Sequence, residues 1–95
     1  MTITCAVTGI SYQTRVMISS GKYVRLHGKA PRGRGLWAME LSFAFADGGD
    51  EAQLVFAPTR STLTDAVKWA KKVAKLTCES QLPRRVDSVD IFVMG

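Results

Sequence analysis

The sequence predicts an α+β domain: an antiparallel sheet of four to five strands with one amphipathic helix packed across one face. Three observations predict it. Residues 36–46, LWAMELSFAFA, alternate so that Trp37, Met39, Leu41, Phe43 and Phe45 fall on one side, the period of a strand with one buried face. Residues 61–79, STLTDAVKWAKKVAKLTCE, repeat apolar residues at spacings of three and four, the period of a helix with one buried stripe. An amphipathic helix needs an apolar surface to cover, and the aromatic side of the sheet supplies one. The expected order is β-β-β-β-β-α-β within a single domain, residues 1–95, because a chain of this length cannot build two cores.

The elements follow in order. Thr2 to Thr8 alternates, with Ile3, Cys5 and Val7 on one face, and Gly9 marks a break or bulge. Ile10 to Ile18 continues the period of two, with Ile10, Tyr12, Val16 and Ile18 together. Ser19 to Lys22, SSGK, reads as a hairpin turn. Tyr23 to His27 reads as a strand with Val24 and Leu26 inward and Tyr23, Arg25 and His27 outward. Gly28 to Gly35 is a loop, since proline and glycines punctuate it.

After the aromatic strand, DGGD closes a hairpin. Glu51 to Ala57 is the partner strand, with Ala52, Leu54 and Phe56 together. Pro58 ends it. Thr62 with Asp65 three places on resembles a capping box, and Asp65 suits the positive end of the helix dipole. Leu63, Ala66, Val67, Ala70, Val73, Ala74 and Cys78 form the apolar stripe, which Trp69 and Leu76 widen. Lys68, Lys71, Lys72 and Lys75 line the opposite side. Pro83 breaks the helix. Val86 to Met94 is a last strand, with Val89, Ile91 and Val93 on one face. It is expected at a sheet edge, or paired with a second copy in a homodimer.

Composition narrows the function classes. Apolar residues make up 46% of the chain, an ordinary globular fraction. No run of eighteen apolar residues occurs, so no membrane role is expected, and no basic region precedes the first apolar residues as in a signal peptide. Cys5 and Cys78 read as reduced structural thiols of a cytoplasmic protein. His27 is the only histidine and has no acid near it in sequence, so no Ser-His-Asp or Cys-His constellation is visible and no enzyme is expected. One histidine and two distant cysteines do not make a zinc set. Asp47, Asp50 and Glu51 read as a solvated hairpin tip rather than a calcium loop. Gly28 to Gly33 has the glycine spacing of a P-loop, but Arg34 and Gly35 stand where Lys and Ser or Thr are required, and a strand follows instead of a helix. No cofactor and no metal are expected.

What remains is charge. The formal net charge is +5, and it is segregated. Six cations and no acid lie between Arg15 and Arg34, whereas four acids and no cation lie between Glu40 and Glu51. A positive region attracts anionic partners. Glycine lets the main chain approach a phosphate closely, and arginine presents a planar fork that fits one. The sequence therefore points to a non-enzymatic nucleic-acid binder with little sequence specificity, for single- or double-stranded nucleic acid. Its expected contact residues are Tyr23, Arg25, His27, Lys29, Arg32 and Arg34. Tyr23 would stack or brace, the cations and His27 would meet phosphate, and Trp37 belongs to the core.

The alternative is a small interaction or inhibitor protein whose cations meet an acidic protein surface. Phage and mobile-element inhibitors that bind a host protein complex, anti-CRISPR proteins among them, share this size and type.

Overall fold

Where the alternation is long, it becomes strand. The computed structural model describes residues 1–95. The elements are β1 (Thr2–Thr4), β2 (Ser11–Gln13), β3 (Arg15–Ser19), α1 (Gly21–His27), β4 (Arg34–Gly35), β5 (Ala38–Phe45), β6 (Asp50–Phe56), β7 (Ser61–Thr62), α2 (Leu63–Gln81) and β8 (Val86–Val93). The fold is α+β. Its main sheet has four strands in the order β3-β8-β5-β6, and α2 lies across one face. β1 with β2, and β4 with β7, form two small antiparallel ladders beside it.

The core sits between α2 and the sheet. β5 contributes Met39, Leu41, Phe43 and Phe45, and β8 contributes Val86, Val89, Ile91 and Val93. Facing them, the buried stripe of α2 is Ala66, Ala70, Ala74 and Cys78. Small helix residues against large sheet residues let the two layers approach closely while filling the space between them. The helix begins as the sequence predicts: the Thr62 hydroxyl accepts from the Asp65 amide at 3.3 Å. It ends before Pro83, which follows a cis peptide bond.

Several expectations are corrected. Tyr23 to His27 is not a strand, and SSGK is not a hairpin turn; Gly21–His27 is helix α1, closed by Gly28 in the left-handed region at φ 72°. A five-residue alternation fits either period. Here the helical one wins because it brings Tyr23 and His27, four residues apart, into contact, with ring centroids 4.2 Å apart. Leu26, expected inward, is 63% exposed. Thr2 to Thr8 is strand only as far as Thr4, and the chain then turns through Gly9 at φ 73°. Ile10 to Ile18 is not one strand. It divides at the buried Thr14, whose hydroxyl donates to the Val86 carbonyl, so that β2 pairs with β1 while β3 pairs with β8.

The last strand is not at an edge. β8 lies between β3 and β5, hydrogen-bonded on both flanks, so it has no free side for homodimerisation. Its Val- and Ile-rich run suits an interior strand, which needs neighbours on both sides. The β3–β8 pairing is parallel, so the sheet is mixed rather than antiparallel, and the expected order β-β-β-β-β-α-β fails because α1 interrupts the early strands.

Register fixes which face of β6 is covered. Met39 pairs with Val55, so Val55 shares the α2 side. Ala52, Leu54 and Phe56 do sit together, but on the open face of the sheet. No helix of the chain is long and apolar enough to cross a membrane.

Candidate functional site

The glycine–arginine loop ends in an anchor. Arg34 and Gly35 (β4) pair antiparallel with Thr62 and Ser61 (β7), directly before α2. The buried Trp37 reinforces this join, because its indole Nε1 donates to the Ser61 carbonyl at 2.9 Å. The loop is thereby tied to the entry of the long helix, and two sequence-distant arginines come together. Arg34 and Arg60 line one cleft of about 300 Å³ with Thr59, Ser61, Asp65 and the half-buried Trp69.

Electrostatics make the cleft positive. The ion pairs of the molecule are Lys22–Glu40 at 3.1 Å, Arg84–Asp47 at 2.7 Å and Arg84–Glu51 at 3.7 Å, so neither Arg34 nor Arg60 has a carboxylate within pairing distance. The N-terminus of α2 adds the partial positive charge of its unpaired amides. Asp65 opposes both from the cleft wall. Two planar guanidinium forks, two hydroxyls, a helix start and an indole wall can hold a phosphate oxygen and pack an aromatic or sugar ring beside it.

The sequence-predicted residues divide. Arg34 enters the cleft, and Lys29 and Arg32 are exposed in the loop that leads to it. Arg25 and His27 lie instead in the last turn of α1, where basic groups suit the negative end of the helix dipole. The His27 Nε2 is 3.2 Å from the Met94 carbonyl. Tyr23 is not an outward stacking platform. Its half-buried ring packs against Trp37 at 5.8 Å and against His27, and this seats α1 on the rest of the molecule. Trp37 is core, as its period predicts.

Arg60 and Trp69 are the residues sequence reasoning missed. One signal was available for Arg60. A cation just before a helix start opposes the dipole preference for acids, and that is where an anion site would place one.

The DGGD tip is held by Arg84. Its guanidinium donates to Asp47 at 2.7 and 3.2 Å and lies 3.6 Å from the Phe45 ring centroid. The Arg84 hydrogen bonds, with the Gly49 amide, hold the Asp47 carboxyl below its ordinary value. A carboxyl depressed on folding stabilises the fold above its unfolded pKa, and that contribution is lost as pH falls through the folded value. Wild type is therefore expected to lose more urea resistance between about pH 6 and about pH 3 than Asp47→Asn does. Equal losses would contradict the pairing.

The two thiols differ. Burial pushes Cys78 up to about 11, whereas hydrogen bonding from the Thr8 side chain and from the Thr8 and Val7 backbone lowers Cys5. Because the thiolate is the nucleophile, iodoacetamide at about pH 8 should alkylate Cys5 in the native protein, and Cys78 only after unfolding. Peptide mass mapping reads the result. The two cysteines do not gather with His27 or with carboxylates into a metal-binding group.

No family model, no curated protein and no solved structure matches this chain.

Proposed function

We propose that this chain is a non-enzymatic nucleic-acid-binding protein that grips phosphate at the cleft where the glycine–arginine loop meets the start of α2. The observation that carries the reading is the presence of two unpaired guanidinium groups, Arg34 and Arg60, on one cleft. In this reading they take a single phosphate as bidentate forks. Lys29 and Arg32 reach flanking phosphates from the exposed loop, and Trp69 packs against a sugar or base. Sequence specificity is low, because phosphate contacts position the chain without reading base edges.

Fluorescence anisotropy with labelled (dT)15 and a 15-base-pair duplex, at about 50 mM salt, tests the proposal. Binding of at least one is expected. Asp65→Asn should then bind more tightly by roughly two- to fivefold, since it removes the one carboxylate facing the phosphate. Failure of both oligonucleotides to bind, or weaker binding by Asp65→Asn, contradicts the reading.

A second reading, a small interaction protein of the inhibitor kind, draws on a different observation. β3 and β6 are free sheet edges, and Leu54 and Phe56 stand exposed beside the β6 edge. Exposed apolar side chains next to a free strand edge are the ordinary means of pairing with another chain.

A further inference from the structure

A second positive groove lies where α2 passes the start of β3, at Val16. It measures about 360 Å³, with a floor of Met1 and Val16 and a rim of Lys71, Lys72 and Lys75. None of these lysines has a carboxylate within pairing distance. The floor belongs to a free edge. β3 pairs with β8 on one flank only, in register from Arg15↔Ser88 to Ser19↔Phe92. β1 covers the continuing strand only as far as Thr14, through the Thr14 amide to the Met1 carbonyl at 2.9 Å and the Met1 amine to the Thr14 carbonyl at 2.9 Å. Beyond that point the backbone of Arg15–Ser19 is paired with β8 alone, and Val16 of this segment lines the groove.

We infer that this groove binds an acidic extended peptide segment, which adds to β3 as a strand in line with β1. Three features fit one occupant. A free strand edge offers a row of backbone donors and acceptors that another backbone in extended form can match. Side chains of a strand alternate, so every second residue of the added segment faces α2. Glutamates there lay their methylenes over Met1 and Val16 and carry their carboxylates to Lys71, Lys72 and Lys75. The intervening residues fall on the other face beside Met17, which is 63% exposed, and apolar side chains suit them. A nucleic acid would satisfy the lysines but leave the β3 edge and the apolar floor unmatched.

The test uses an acetylated, amidated octapeptide of alternating glutamate and valine, titrated into the 15N-labelled chain and followed by amide chemical shifts. Saturable shifts at Arg15–Ser19 are expected. The exposed double variant Lys72→Glu with Lys75→Glu should bind about tenfold more weakly while keeping its native spectrum. Arg34→Ala with Arg60→Ala, which disables the nucleic-acid cleft, should leave peptide binding unchanged. The same octapeptide with alternate N-methyl amides cannot complete the ladder and should bind at least about tenfold more weakly. Four results would overturn the inference: no shifts at Arg15–Ser19, equal binding of the lysine–valine counterpart, equal binding of the N-methyl peptide, or (dT)15 displacing the octapeptide with shifts centred on Lys71–Lys75.

Discussion

Replacing Phe43 with alanine is expected to lower the free energy of unfolding by about 3–5 kcal/mol. Phe43 is 2% exposed in β5, flanked by Val89 of β8 and Glu51 of β6, and belongs to the layer that α2 covers. Truncation removes its transfer free energy and leaves a cavity that a close-packed interior cannot fully close. A domain of this size has only about 5–14 kcal/mol in total, so the loss is a large fraction of it. Phe56→Ala supplies the control. Its ring is exposed on the open face of β6, and its removal should change stability by no more than about 0.5 kcal/mol. Urea unfolding followed by tryptophan fluorescence compares the two. Equal losses would mean that the covered and open faces of the sheet are wrongly assigned.

The second large effect concerns salt. If Lys29, Arg32, Arg34 and Arg60 each neutralise one phosphate of a single strand, four contacts release counterions. Affinity should then fall about fiftyfold between roughly 50 and roughly 200 mM salt. Arg34→Ala with Arg60→Ala should weaken binding at the lower salt by tenfold or more, and should flatten the log–log salt slope by about 1.4, the share of two contacts. The slope is the sharper readout, because a variant that had merely lost structure would lose affinity without keeping half of the salt dependence. An unchanged slope would move the phosphate contacts elsewhere, to the α2 lysines first.

Particular residues explain what the sequence could reveal. β5 and α2 were legible because their patterns run for two turns or more of their own period, and because Thr62 and Asp65 mark a helix start by local chemistry. Tyr23 to His27 was not legible. Its alternation is as short as one and a half helical turns, and the choice was made by packing of Tyr23 against Trp37 and His27, partners the sequence does not announce. The interior position of β8 depends on a parallel pairing with β3, which is non-local in the chain.

The candidate site shows the same limit. Lys29, Arg32 and Arg34 were legible as cations of a glycine-punctuated loop. Arg60 and Trp69 join Arg34 only because a two-residue ladder, Arg34–Gly35 against Ser61–Thr62, closes the cleft, and so short a ladder leaves no periodic trace. Tyr23 is the opposite case: in sequence an aromatic among cations resembles a stacking platform, but its half-buried ring braces α1 against Trp37.

Titration of the 15N-labelled chain with (dT)15 locates the phosphate contact as well as detecting it. The largest amide shifts are expected on Gly33–Gly35 and on Thr59–Asp65, accompanied by the Trp69 indole resonance. Shifts confined to Lys68–Lys75 or to α1, with the residues of the cleft unmoved, would contradict phosphate binding at the cleft.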